Sequence, residues 1–127
     1  MPTTAQLRET MAKYGTAASS MDPDAYAALF TEDAVQVDPY PTPPNVGRAA
    51  IRAFIERGYS AAETFLFEVE QVHPVADRVA ITFHITIGLA NAGGTMHIRG
   101  VEVFTVNDEG LITAVDAYWG DEDITFD

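Results

Sequence analysis

The sequence predicts an α+β fold in which three N-terminal helices pack on one face of a mostly antiparallel sheet. Apolar residues recur at helical spacing through the first 60 positions, whereas residues 65–119 are rich in β-branched and aromatic residues separated by turn signals. The length of 127 residues, with 47% hydrophobic and 20% charged residues, is typical of a globular domain. We therefore expect a single domain over residues 1–127.

Three segments before residue 60 have the pattern of amphipathic helices. The first follows two threonines that can cap it, and its apolar stripe comprises Leu7, Met11, Tyr14 and Ala18. The second opens on Asp22 and Pro23, a cap residue followed by proline at the first helical position. The third follows Gly47 and is expected to end near Gly58.

The rest of the chain alternates in the manner of strands. After an extended piece at 34–38, a loop with four prolines between positions 39 and 44 must be irregular. Strands are then predicted at residues 65–72, 78–88, 95–107 and 111–119. We expect the acidic tail at 121–127 to fray.

Glu102 is notable because strand alternation places it on an otherwise apolar face. That face also carries Met96, Ile98, Gly100, Phe104 and Val106. The apolar faces of the neighbouring strands comprise Val79, Ile81, Phe83, Ile85 and Ile87, and then Leu111, Val115 and Trp119. If these faces and the first helix line one space, Glu102 meets Tyr14 inside it. A bulge at Gly100 would instead turn Glu102 to solvent, and spacing alone leaves both arrangements open.

Charge and composition exclude several classes of function. A formal net charge of −12 argues against nucleic acid and against anionic membrane surfaces. The absence of cysteine excludes disulfide and thiolate chemistry. The N-terminus lacks the layout of a signal peptide, and no apolar run approaches the ~20 residues that cross a bilayer. We expect a cytoplasmic protein, and a neutral, apolar ligand is compatible with its charge.

Tyr14, Asp38 and Glu102 together suggest the removal of a proton beside a carbonyl. That reaction needs a base near the carbon and hydrogen-bond donors at the oxygen that becomes an enolate. An ionised Asp38 can be the base, and Tyr14 with a neutral Glu102 can be the donors. Each residue also has an ordinary structural interpretation: Tyr14 as a core tyrosine bonded to a carbonyl, and Asp38 as a turn residue before Pro39.

Four stretches carry a family resemblance. They are MAKY at 11–14, LFTEDA at 29–34, VDPYPTPPNVGR at 37–48 and VEVFTVNDEGLITAVDAYWGD at 101–121. In this order they resemble the bacterial Δ5-3-ketosteroid isomerases, or steroid delta-isomerases, of the NTF2-like/SnoaL-like superfamily. The resemblance implies a cone-shaped fold whose curved sheet encloses an apolar pocket, a homodimer, and a cofactor-independent isomerase that takes an apolar steroid.

Carried over position by position, the resemblance implies roles for particular residues. Asp38 matches the general base that moves a proton from C4 to C6 of the steroid. Tyr14 matches the main donor to the C3 oxygen, and Glu102 falls where the family holds a protonated aspartic acid as the second donor. Trp119 matches a tryptophan beside the base. Wall positions of the pocket fall on Phe54, Ile81, Phe83 and Val115.

The chain departs from the family pattern at three positions. Glu102 is longer than the family's aspartic acid by one methylene. Phe30 and Ile55 stand where well-studied members have tyrosines that extend the hydrogen bonds of the oxyanion tyrosine. Three other tyrosines are candidates to replace them: Tyr26, Tyr40 and Tyr59.

Two other functions fit the same predicted fold. A polyketide cyclase of the superfamily would also deprotonate carbon beside a carbonyl, and a non-catalytic domain would simply bind an apolar ligand. The spacing of His73, His84 and His97 is not that of a metal site, and the glycines do not form a phosphate loop. We predict no metal, no nucleotide cofactor and no covalent intermediate.

Overall fold

The computed structural model describes residues 1–91 and 93–127. Its α-helices are α1 (Thr4–Ser19), α2 (Pro23–Ala27) and α3 (Arg48–Ser60), with a short 3₁₀ helix at Asp121–Asp123. Reciprocal hydrogen bonds between Thr3 and Gln6 cap α1, and the Asp22 side chain accepts from two backbone N–H groups to cap α2. In this part of the chain, no helix is both long and apolar enough to cross a bilayer.

One mixed, mostly antiparallel sheet underlies the helices. Its strands are β1 (Phe30–Val37), β2 (Asn45–Val46), β3 (Ala62–Val75), β4 (Arg78–Leu89), β5 (Thr95–Val106), β6 (Ile112–Tyr118) and β7 (Ile124–Phe126). The strand order is β2-β1-β6-β5-β4-β3, with β7 beside β5 and only the β1–β6 pair parallel among the described residues. The predicted α+β architecture is confirmed.

Several element boundaries differ from the prediction; β1 begins at Phe30 instead of residue 34, and β3 extends over Ala62–Val75 instead of 65–72. The tail does not fray, because Ile124–Phe126 pairs with β5 and the backbone N–H of Asp127 donates to the carbonyl of Thr95. Helix α3 continues past Gly58 to Ser60, and its last turn carries the buried Tyr59. Strand β2 was not predicted, and its two residues pair with β1 after the proline-rich loop.

The register of the central strands buries Glu102. Its partners are Ile81 on β4 and Ala117 on β6, and the residue is 2% exposed. Pairing between β4 and β5 runs without a bulge from one end to the other, so the solvent-facing arrangement of Glu102 is wrong. Gly100 is needed there because a Cβ would lie 2.5 Å from the carbonyl oxygen of Tyr118.

A register shift lies instead between β5 and β6. It falls between Thr105 and Val106, and it leaves Ile112 fully buried and Leu111 only half-buried. The prediction that Leu111 belongs to the inner face is therefore wrong, although Val115 does lie there at 1% exposure.

An aromatic cluster fills the space between α1 and the sheet. The ring of Tyr14 packs edge-on against Phe67 and Phe104, with centroids 5.2 and 4.8 Å away. Tyr26 packs against Tyr14 and Phe30 with centroids 5.5 and 5.3 Å away. These contacts fix the Tyr14 ring, so its hydroxyl has a defined position inside the core.

Candidate active site

Asp38 follows the last residue of β1, at the start of the proline-rich loop. Indole Nε1 of Trp119 donates to its Oδ1 at 2.8 Å. The loop itself is held by a bond from the N–H of Tyr40 to the carbonyl of Ala117, 2.8 Å long. Burial raises the pKa of Asp38, and the Trp119 hydrogen bond lowers it in part.

Tyr14 and Glu102 form the second polar group of the site. The Tyr14 hydroxyl donates to Oε2 of Glu102 at 3.3 Å. Burial, and then the nearby charge of Asp38, raise the pKa of Glu102 well above its ordinary value, against a smaller lowering by the Tyr14 bond. The glutamic acid is therefore favoured in its neutral, proton-bearing form.

The second carboxyl oxygen of Glu102 is also informative. Oε1 is buried, and the described residues offer it no hydrogen-bond partner. An unpaired polar atom in a protein interior is costly, so such atoms are commonly found where a ligand supplies the partner. A proton on this carboxyl group would be a donor without an acceptor in the unliganded protein.

Behind Tyr14, a hydrogen-bonded chain leads out of the core. The hydroxyls of Tyr14 and Tyr26 are 3.0 Å apart. Nε2 of Gln36 donates to the Tyr26 hydroxyl at 3.0 Å, and Nδ2 of Asn45 donates to Oε1 of Gln36 at 3.0 Å. Of the three candidate tyrosines, Tyr26 thus supports Tyr14; Tyr59 bonds backbone carbonyls of α1, and Tyr40 packs beside Tyr118.

A cavity of about 460 Å³ lies between the helices and the sheet. Tyr14 and Tyr26, which are 2% and 1% exposed, form its floor, while the exposed Arg57 and Gly58 of α3 lie at its rim. Asp38 lines the same cavity, so one space is open to the carboxylate and the tyrosine hydroxyl. Its volume is in the usual range for sites that hold small molecules.

The walls of the cavity are almost entirely apolar. Of the predicted wall residues, Trp119 and Phe54 line it. Ile81, Phe83 and Val115 are fully buried in the core and do not line it. Their places are taken by residues nearer the strand ends: Ile85, Ile87, Leu89, Met96 and Ile98. At Phe83 the difference arises because Phe67, which itself lines the cavity, stacks on it with centroids 5.3 Å apart.

Sequence reasoning missed two polar residues of the site. Gln36 is fully buried at 0% exposure, and Asn45 is its cross-strand partner on β2. Strand alternation would have put Gln36 on the same face of β1 as Asp38, two residues later. No sequence signal identified Asn45, because β2 is only two residues long.

The histidines lie away from this site. His84 and His97 are hydrogen-bonded to each other at 2.8 Å on the opposite face of the sheet, and His97 also contacts Asp127 at 2.7 Å. Within residues 1–91 and 93–127, no three His, Asp or Glu side chains come together in a way that could hold a metal ion.

Comparison with known proteins gives consistent likenesses over most of the chain. A profile of the SnoaL-like domain matches residues 11–115. The steroid Delta-isomerase of Nocardioides simplex is 31% identical over 121 residues, which cover 94% of each chain. The epoxide hydrolase/cyclase-like enzyme SalBIII, which has a role in pyran ring formation in the polyether salinomycin, has a TM-score of 0.86 at 28% identity, over 94% of this chain and 95% of its own.

A further structural likeness is to RV0760c from Mycobacterium tuberculosis. Its structure has a TM-score of 0.84 at 24% identity, and the likeness covers 100% of both chains. The complex of RV0760c with estradiol-17beta-hemisuccinate has a TM-score of 0.83 at 24% identity, and the likeness covers 95% of this chain and 98% of that one. At this identity the likeness shows a shared fold.

Proposed function

The chain belongs to the SnoaL-like domain family, of NTF2-like fold, and within that family we propose that it is a cofactor-independent steroid Δ-isomerase. It moves the C5–C6 double bond of a 3-oxo-Δ5-steroid to C4–C5. The observation that carries the proposal is that Asp38 and Tyr14 line one apolar cavity, with Glu102 bonded to Tyr14 behind it. The steroid Delta-isomerase relative at 31% identity supports this substrate class.

In the proposed reaction Asp38 is the base. Its Oδ1 accepts from Trp119, and Oδ2, which has no hydrogen-bond partner among the described residues, takes the proton from C4 of the steroid. The C4–H bond breaks, its electron pair enters the conjugated system, and a dienolate forms with its negative charge on the C3 oxygen. The same carboxyl group then returns the proton to C6, so nothing is consumed or released.

Tyr14 and Glu102 stabilise the dienolate in this mechanism. The Tyr14 hydroxyl turns from Glu102 to the C3 oxygen, and the proton of the neutral Glu102 becomes the second donor. The apolar walls strengthen both hydrogen bonds because they exclude water and lower the local dielectric constant. The Glu102 oxygen that lacks a partner among the described residues is consistent with a donor that waits for its acceptor.

The test is the ultraviolet absorbance of the conjugated enone as 5-androstene-3,17-dione is mixed with the pure protein. We expect turnover by the parent protein. For Asp38→Asn we expect kcat to fall by about 10²–10⁴-fold, as is usual for a lost general base. Asp33→Asn is the matched control, because Asp33 is an exposed acid on β1, the strand that leads to Asp38. A folded protein without turnover, or equal rates for Asp38→Asn and the control, would overturn the proposal.

A cyclase activity is the second candidate. The likeness to SalBIII at 28% identity favours it. Asp38 in the cavity and the neutral Glu102 behind Tyr14 could also serve ring closure, with Asp38 as base and Glu102 as acid. Turnover of an epoxide-bearing polyketide by a protein that leaves the steroid unchanged would move the assignment to this class.

We also propose that two copies of the chain associate through the outer face of the sheet. Val101 and Tyr118 are 38% and 45% exposed there, next to each other in the β5–β6 register. Sedimentation analysis of the protein and of Val101→Asp tests this. A dimer that the substitution converts to a monomer is expected, and a monomeric parent protein would contradict the proposal.

A further inference from the structure

The amide side chains behind Tyr26 give the hydrogen-bonded chain a direction. An amide nitrogen can only donate and an amide oxygen can only accept. Asn45 donates to Oε1 of Gln36, so the nitrogen of Gln36 faces Tyr26 and donates to its hydroxyl oxygen. With that oxygen occupied as an acceptor, the hydrogen of Tyr26 is available for its neighbour.

The same reasoning applies to the pair of hydroxyls. Tyr14 donates its hydrogen to Glu102, so the 3.0 Å contact between the two tyrosine oxygens needs the hydrogen of Tyr26. The direction of donation therefore runs from Asn45 through Gln36 and Tyr26 to Tyr14, across three hydrogen bonds. Each bond polarises the next, which makes the Tyr14 hydroxyl a stronger donor toward the cavity.

We propose that Gln36 and Asn45 are positioning residues that orient Tyr14 as a donor toward the ligand. We call the hydrogen-bonded chain from Asn45 through Gln36 and Tyr26 to Tyr14 the donor relay. It also joins the two halves of the site, since Gln36 on β1 lies two residues before Asp38 and Asn45 follows the proline-rich loop. The effect of the relay on turnover rests on the proposed isomerase function. Its effect on the binding of an oxyanion does not.

The decisive variant is Asn45→Asp, which keeps the shape of the side chain but reverses the relay. An ionised carboxylate accepts only, so the Gln36 amide must turn its nitrogen toward β2 and present its oxygen to Tyr26. Tyr26 then donates to Gln36 and no longer to Tyr14. Asn45→Ala is the comparison, because it removes one donor and leaves the amide of Gln36 free to keep its direction.

Phenolate binding gives a readout that does not depend on turnover. The probe is 4-nitrophenol, whose visible absorbance reports how much of the bound phenol is ionised. We expect Asn45→Asp to weaken the binding of the phenolate by about 10- to 100-fold, as for a lost hydrogen bond to a charged group, and Asn45→Ala to weaken it far less. Val46→Asp is the charge control, since Val46 is 65% exposed on the neighbouring position.

The outcomes separate the relay from the proposed function. The relay is supported if phenolate affinity and steroid kcat are both lower in Asn45→Ala than in the parent protein and lower still in Asn45→Asp. In Val46→Asp both values should stay near those of the parent protein. Equal effects of Asn45→Asp and Asn45→Ala, or of Asn45→Asp and Val46→Asp, overturn it. If the phenolate affinities of the variants follow the expected order but the protein does not isomerise steroids, the relay is supported and the proposed isomerase function is wrong.

Acidification supplies a second check. When the introduced carboxylate of Asn45→Asp binds a proton, it can donate to Gln36 again and restore the original direction. The ratio of its phenolate affinity to that of the parent protein should therefore rise as the pH falls through the carboxyl range. A purely structural role for Asn45 predicts a ratio that does not change with pH.

Discussion

Trp119 and Asp38 are joined by a hydrogen bond of 2.8 Å from the indole nitrogen to Oδ1, although 81 residues separate them in the chain. The bond crosses from the end of β6 to the end of the parallel strand β1. It holds one oxygen of the carboxylate in place and leaves the other to a ligand in the cavity. It also offsets part of the effect of burial, which raises the pKa of Asp38.

Trp119→Phe should move the acidic limb of the kcat/KM profile to higher pH. The phenylalanine keeps an apolar wall but donates no hydrogen bond, so burial acts on the pKa of Asp38 unopposed and the base is ionised only at higher pH. The measurement is kcat/KM for the 3-oxo-Δ5-steroid across the pH range. An unchanged acidic limb would show that Trp119 does not act on the ionisation of the base.

Glu102→Gln and Glu102→Leu should differ sharply in activity. The amide of glutamine can still donate a hydrogen bond toward the position of the C3 oxygen, whereas leucine cannot. We expect a loss of about 10²–10³-fold in kcat for Glu102→Leu, as for a removed oxyanion donor, and a smaller loss for Glu102→Gln. Equal losses in the two variants would contradict the role of Glu102 as a hydrogen-bond donor.

The stability of the protein should fall as the pH rises above the ordinary range of glutamate. The folded-state pKa of Glu102 lies above its unfolded value, so the contribution of this group is complete below the unfolded pKa and is lost as pH rises through the folded one. In that window the unfolded chain binds fewer protons, and one group changes the free energy of unfolding by at most about 1.4 kcal/mol per pH unit.

Urea unfolding from about pH 5 to about pH 8 measures this slope. Glu102→Gln is the comparison, because it cannot titrate. Asp38 adds a slope of the same sign, since burial raises its pKa as well, so the variant is expected to retain a shallower slope. Parallel curves for the parent protein and the variant would contradict a neutral Glu102 in the folded state.

Periodicity permits the meeting of Tyr14 and Glu102 but does not decide it, because a bulge at Gly100 would turn Glu102 to solvent. A helical stripe with Tyr14 on it and a strand face with Glu102 on it both turn inward if the strand alternates without a bulge, because each is otherwise apolar. The unbroken register between β4 and β5 decides the matter and brings together side chains that are 88 residues apart. The fold class follows from periodicity, since helices and strands are segregated along the chain.

The support behind Tyr14 could not be predicted in this way. Tyr26 lies on a helix of five residues, too short for a spacing pattern, and Asn45 lies on a strand of two. Which side chains they meet depends on how the proline-rich loop returns the chain to β1. Likewise, the register shift that buries Ile112 is a local irregularity that strict strand alternation does not predict.

Gly100 should be less tolerant of alanine than Gly58. A Cβ at position 100 would lie 2.5 Å from the carbonyl oxygen of Tyr118 and 3.0 Å from side-chain atoms of Phe83 and Trp119, so β6 and the indole beside Asp38 would have to move. At Gly58 a Cβ meets nothing within 4 Å. We expect Gly100→Ala to destabilise the fold by about 1–3 kcal/mol, and Gly58→Ala to stabilise it by about 0.5–1 kcal/mol through helix propensity.

Chemical denaturation of the two variants measures these changes, and the Trp119 fluorescence reports on the site at the same time. A shifted emission in folded Gly100→Ala, with the parent spectrum kept in Gly58→Ala, is the expected pair of results. Because Trp119 positions the carboxylate of Asp38, the shifted variant should also lose kcat. If Gly100→Ala matches the parent protein in stability and emission, the packing of β5 against β6 at this point does not hold the base in place.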